Sequence, residues 1–520
     1  MIRVYSRLEI GASYLIVAPK NRCNVAMGFE SSEENLRKHF MLPIRAGRAA
    51  CLALCCLIII SCRHDIVASD PDIENLDYSA INPIVYSQHI QPIFNQKCMS
   101  ASCHNSVDRA AGLQLDSWES VVRGSSFGEA IISGTAQHSH MIEHMRGVST
   151  PRMPLGRNPL SDKVINFVAR WIDEGARNDA GERPYEGITE KAYVTNQGED
   201  LVAVIATQNN LVTRLIPVGD SPRLDVPHNI IVDAQSKYWY VTLIEQGQVW
   251  KFDVATDTLV GKAQAGRSPA NVVISPDGSK AFVTNWEIFS DGRAAQVIDT
   301  NTMTVIRELR VGFAPHGIAF SRDGQLIYIT NYLSDSISIL RADTYQELGP
   351  VLLAPDVNPV RSSIYQPLQV ALTPDDRFAY VTCFSADQVR VIDTSSRTVI
   401  DSVRVGKRPF LLEVTPDGKH VYVCNQGSND ISVIRVADNQ VETTISAPGF
   451  ANPHGVAFTR DGFFAYVTNE NLDGSYTGHH PTSQGGNPGT VQVIDTRTFQ
   501  VAKTIEVEAD PTGVVVLPRP

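Results

Sequence analysis

A four-residue phrase, Tyr-Val-Thr-Asn, limits what this chain can fold into more than any other feature. It stands at residues 193–196 and returns, with small changes, at Tyr240, Phe282, Tyr328, Tyr380, Tyr422 and Tyr466. The spacing of 42 to 52 residues leaves room for four short strands in each unit. Each complete unit follows one grammar. An apolar stretch opens on proline, as in Pro315–Phe320, and a turn such as Ser-Pro-Asp-Gly at 275–278 follows it. The phrase comes next, then a third strand such as 492–496 and a fourth such as 501–507. Alternating apolar residues, β-branched enrichment and Pro-Asp-Gly turns predict antiparallel sheet. Seven units predict a seven-bladed β-propeller over residues 188–520. The first unit begins at its second strand, near Lys191, whereas Pro511–Leu517 reads as an innermost strand. The end of the chain is therefore expected to complete the first blade and remove two open sheet edges.

A propeller leaves much of the 520-residue chain unaccounted for, so further units are expected upstream. There the decisive stretch is Cys98-Met-Ser-Ala-Ser-Cys103-His104. Two thiols followed at once by an imidazole attach haem c, usually as C-x-x-C-H; here four residues separate the cysteines. Each thiol can form a thioether, and His104 then lies against the iron. The alternatives are a disulfide, or a metal site built from the same three residues. Around the motif the pattern is helical. Ile90, Ile93 and Phe94 form an apolar stripe, and a second helix over 162–175 carries Val164, Ile165, Phe167, Val168, Trp171 and Ile172 before Gly175. Cys383 and Cys424, far downstream in strand contexts, read as small buried thiols.

The run 49–60 is apolar, follows Arg45 and Arg48, and ends in Ser61-Cys62. A dozen apolar residues cannot span a bilayer of roughly 30 Å, but charge, apolar core and small-residue end are the pattern of an export signal. The ending resembles a bacterial lipobox, which implies lipidation of Cys62. Met41 is a natural start for such a signal, so residues 1–40 read as an over-long start, 41–62 as the signal and 63–79 as a linker. The net charge of −11 and the absence of a basic run argue against nucleic acid as a partner.

Two helices flanking a haem motif, with 167–176 as the closing helix, resemble a class I c-type cytochrome domain over about residues 80–180. The repeated phrase resembles the YVTN family of β-propellers. The fold expected is thus multidomain: a small all-α cytochrome c-like domain followed by an all-β seven-bladed propeller. The cytochrome resemblance implies one covalent haem c on Cys98, Cys103 and His104, with Met153 of Arg152-Met-Pro as the sixth ligand. His138, His140, Met141, His144 and Met145 are its rivals. They cluster closely enough to raise a second metal, which nothing else in the sequence supports; their plainer reading is cover for the haem edge or contact with solvent.

On one propeller face, three inner strands open on Pro-His, at His228, His316 and His454; the same position elsewhere holds Ala270, Leu368, Phe410 and Thr512. These imidazoles would ring one mouth of the channel, a possible ligand site, although their positions around a ring could set them too far apart to share one ion. As surface positions they are expected to be dispensable for folding. The longest insertions, 286–293, 355–366 and 470–489, lie on the same face, and the last carries His479 and His480. No nucleophile–base set or carboxylate pair stands out, so the catalytic residues are unknown. The leading expectation is an exported electron-transfer protein in the bacterial cell envelope, lipid-anchored, whose propeller docks a redox partner protein or small molecule. The alternatives are a periplasmic oxidoreductase with a small-substrate or metal site at the mouth, and a non-enzymatic surface-binding module with an accessory haem.

Overall fold

The computed structural model describes residues 72–286, 294–355, 364–482 and 486–518. The expected over-long start, the export signal with Cys62, and the first part of the linker lie outside the described residues. Among the described residues no helix is long and apolar enough to cross a membrane.

Seven four-stranded antiparallel sheets follow one another from Lys191 to Leu517. The first blade contains β1 (Lys191–Asn196), β2 (Leu201–Ala206) and β3 (Leu211–Pro217). Its innermost strand is the last of the chain, Pro511–Leu517, which pairs antiparallel with β1 from Lys191↔Leu517 to Asn196↔Pro511. Ring closure is therefore a backbone ladder between the two ends of the repeat region.

The Thr of the repeated phrase has a specific task. The register between the two inner strands slips next to the opening proline, for example between Pro315 and Ile318. The Thr hydroxyl fills that gap. Thr330 Oγ1 accepts from Gly317 N–H at 2.7 Å and donates to the Leu368 carbonyl, on the next blade, at 2.9 Å. The same link runs from Thr195 to His228, Thr242 to Ala270, Thr284 to His316, Thr382 to Phe410 and Thr468 to Thr512. At the remaining junction the phrase reads Tyr-Val-Cys-Asn, and Cys424 is a buried free thiol, a much weaker donor. The Tyr of the phrase packs outward into the neighbouring blade. Tyr193 and Tyr466 lie in the apolar clusters of the blades that follow them, and their hydroxyls reach Asp257 and Asn210 there.

Upstream, helical turns over Tyr86–Ile90 lead into α1 (Gln91–Lys97), followed by α2 (Trp118–Arg123), α3 (His140–Arg146) and α4 (Asp162–Asp173). The apolar stripe of α4 is wholly buried with Ile90, Ile93 and Phe94 in one core. Past α4, Gly175 takes φ +107°, and the Trp118 indole closes the turn on the Ala176 carbonyl at 2.7 Å. Only α4 exceeds seven residues. The expected all-α domain is thus a set of short helices joined by long turns, because the glycine-rich middle cannot sustain helix.

This helical region belongs to the same compact unit as the propeller. Ile132 inserts among Val212 and Leu215 of β3 and Ile505 and Val507 of the last blade's outer strand, Gln500–Val507. It therefore covers the seam at which the ring closes.

The inter-blade hydroxyl gives a direct test. Thr330→Val preserves shape but strands the buried Gly317 N–H, leaving the Leu368 carbonyl with His316 Nδ1 alone at 3.1 Å, and should cost about 1–3 kcal/mol in a urea titration. Cys424→Thr should supply the missing link and raise the midpoint.

Candidate functional site

The haem-motif residues converge at the end of α1. Cys98 follows the helix directly, and its carbonyl accepts from the His104 N–H at 3.1 Å. Both thiols are free; the Cys103 Sγ lies 3.3 Å from the Ser100 hydroxyl. Burial pushes the Cys98 thiol up to about 12. His104 is buried, and its Nδ1 lies 3.1 Å from the Ala110 carbonyl. A proton on Nδ1 satisfies that carbonyl and leaves Nε2 as the free lone pair, the tautomer a metal-ligating histidine needs. Burial also lowers the His104 pKa, favouring the neutral ring.

The methionine and its rivals separate in space. Met153 is half-buried, and its N–H donates to the His144 carbonyl at 2.9 Å. His138 and His140 instead face the propeller, where His138 Nδ1 meets Glu508 at 2.6 Å and the His140 ring stacks on His480 at 3.5 Å. The expectation that these two cover a haem edge or solvent is corrected: the propeller rim occupies them. Met141 and Met145 are core residues.

The three entrance histidines do come together, but not as a surface ring. The His228 ring centroid lies 5.8 Å from His316 and 5.1 Å from His454. A seven-bladed ring brings its innermost strands close together, yet among the described residues the ligand atoms of these three do not gather into a metal-binding group, as their positions around the ring suggested. They are 2%, 4% and 1% exposed, so they are not the dispensable surface positions expected from the sequence. The residue after each repeated phrase explains why. Trp286 and Tyr332 follow two of the phrases and pack with their rings tilted, centroids 4.6 Å apart; Trp286 also packs edge-on against His316 at 4.9 Å. Phe384 follows another, next to Phe410, which packs on His454 at 4.3 Å. The opposite side of the mouth is polar, and Gln426 donates to the buried Glu470 at 2.6 Å. Burial draws His228 down to about 4 and His316 to about 3, and holds His454 well below its ordinary value; it pushes the Glu470 carboxyl up to about 8. At neutral pH three neutral imidazoles lie beneath a mouth that is aromatic on one side and polar on the other.

The family model "Lactonase, 7-bladed beta-propeller" matches residues 244–409, and "Planctomycete cytochrome C" matches 101–154. The second stretch is short; it contains Cys103, His104 and Met153 but not Cys98. An uncharacterized protein, YwhL, of Bacillus subtilis (strain 168) is 31% identical over 156 residues, 29% of this chain. The chain spans 31% of that relative's length. Among solved structures, Kuenenia stuttgartiensis hydrazine synthase aligns over 56% of this chain and 89% of its own, at 18% identity and a TM-score of 0.46. A functionally unknown protein from Desulfotomaculum acetoxidans DSM 771 aligns over 64% and 99%, at 15% identity and a TM-score of 0.50. The propeller match and the seven closed sheets agree: the chain carries a seven-bladed β-propeller.

The buried histidines predict an acid-sensitive mouth. Imidazoles with folded pKa values below 6.5 contribute stability that is complete above that value and is lost as the pH falls towards 4. Urea midpoints of the wild type should therefore drop between pH 6.5 and 4. A His228→Gln, His316→Gln, His454→Gln variant should show a flatter profile; an equal slope in both proteins would contradict it.

Proposed function

We propose that this chain is an exported haem c electron-transfer protein whose propeller docks a redox partner protein or small molecule. One observation carries the reading: beside two free thiols, the buried His104 turns its Nδ1 to a backbone carbonyl and keeps Nε2 for a ligand bond. The cytochrome-type match over 101–154 supports it.

In this reading Cys98 and Cys103 would hold the haem through thioethers, His104 would be the proximal ligand, and Met153 the distal one. Haem bound there supplies one-electron transfer between ferrous and ferric iron. The protein's own part is positional. The Ala110 carbonyl fixes the His104 tautomer, the core of α1 and α4 excludes water, and the loop after α3 presents Met153. The propeller's contribution is its mouth, where half-buried Trp286, Tyr332, Phe384 and Phe410 offer contact area of the kind that anchors partners. We place the protein in the bacterial cell envelope, attached through a lipid on Cys62.

Protein produced in a host that matures c-type cytochromes should keep its haem through denaturation and acidified-solvent extraction. The Cys98→Ala, Cys103→Ala variant should lose it. Haem extracted from the wild type would reject covalent attachment.

Met153→Ala should lower the reduction potential and remove the sulfur-to-iron band of the ferric spectrum. A wild-type ferric spectrum without that band, with a potential that shifts in His144→Ala and not in Met153→Ala, would transfer the distal role to His144. Mature protein should lack residues 1–61 and partition with membranes, and Cys62→Ser should abolish both; an unmodified N-terminus elsewhere would overturn the anchor alone.

A further inference from the structure

The helical region and the propeller meet at a cluster that electron transfer does not require. His140 and Glu143 lie one turn apart on α3 and so share a face. His480 reaches them from the insertion of the last blade. One ligand atom from each of the three lies within 4.8 Å of the other two. The His140 and His480 rings are stacked at 3.5 Å with 12° between their planes. His480 Nδ1 is 3.3 Å from Glu143 Oε2, within ion-pair range but out of hydrogen-bond geometry, so this nitrogen is buried without a hydrogen bond. The Ser149 hydroxyl donates to the same carboxylate oxygen at 2.9 Å and fixes its orientation.

The three side chains line a cavity of about 30 Å³, shared with Glu129, Glu506 and Glu508; no lysine or arginine is among its described lining residues. A space of that size accommodates a water or a single ion.

We propose that His140, Glu143 and His480 bind one divalent transition-metal ion, zinc by ligand class, at the junction between the helical region and the propeller. Two imidazoles and one carboxylate are a zinc-type set that leaves the fourth position to water from the cavity. Parallel stacking sets the ring lone pairs side by side, so binding requires one imidazole to rotate out of the stack towards the ion. The bound ion would tie α3 to the insertion of the last blade. The site is independent of the haem reading, since none of its ligands belongs to the haem set.

The test is zinc binding to the full-length protein after dialysis against EDTA, followed by calorimetric titration and metal analysis of gel-filtered protein. The wild type should retain one zinc per chain, and zinc should raise its thermal midpoint. The His140→Ala, His480→Ala variant and the volume-conserving Glu143→Gln should each bind at least about tenfold more weakly and lose the thermal response. An unchanged midpoint of Glu143→Gln in EDTA would show that its fold is intact. His420→Asn, at an exposed pair with Glu442 elsewhere on the propeller, should bind as the wild type does. The proposal is overturned if the wild type fails to retain stoichiometric zinc. It is equally overturned if the double variant binds as tightly as the wild type, which would leave the stacked imidazoles as plain packing between the two parts.

Discussion

The architecture of this protein depends on a hydroxyl group. A propeller needs two kinds of cohesion: ladders within blades and contacts between them. Apolar packing supplies the second in bulk but does not specify the angle between neighbours. The Thr of the repeated phrase does so, because one Oγ1 completes a slipped register in its own blade and accommodates the carbonyl of the next. The hydroxyl can act as donor and acceptor at once, which Val, its isostere, cannot. The acceptor carbonyls belong to the residues that follow the opening prolines, among them His228 and His316. The bond that spaces the blades thus also fixes the backbone from which His228 and His316 project, whereas His454 follows the junction that carries Cys424. The rings at the mouth converge because the innermost strands of a seven-bladed ring lie close together, although the three histidines stand on blades that are not adjacent.

The propeller was legible because its information is local and repeated. Period, turn chemistry and the displaced first strand are all written within single units, and the terminal strand follows from a count of strands. The burial of the mouth histidines was legible too, in part. Trp286, Tyr332 and Phe384 occupy the same position in successive units, directly after the phrase, and an alignment of the repeats exposes that aromatic run. What no repeat could indicate is the distance between the rings, which depends on how narrowly seven inner strands close.

The helical region was read less completely. Helix α4 was plain from its apolar stripe, because seven buried residues fall on one face and in its core. The shorter helices and the turns between Cys98 and Ser139 have no such period. The rim cluster illustrates the limit. His138 and His140 were visible as rivals of Met153, and His479 and His480 as part of an insertion, yet nothing links segments so far apart in the chain. Glu129, Glu506 and Glu508 carried no signal, since lone glutamates in strands and turns ordinarily face solvent. Tertiary packing alone turned them inward.

The closing ladder has a consequence for how such a chain is made. Thr195 and Gly513, hydrogen-bonded neighbours, are 318 positions apart in the sequence. During synthesis the strands of the first blade emerge long before their inner partner exists, and they must wait with an unpaired edge while six blades are translated. Only the final residues silence that edge. A ribosome that stops early, or a protease that trims the tail, therefore leaves a sticky strand beside the seam that Ile132 should cover.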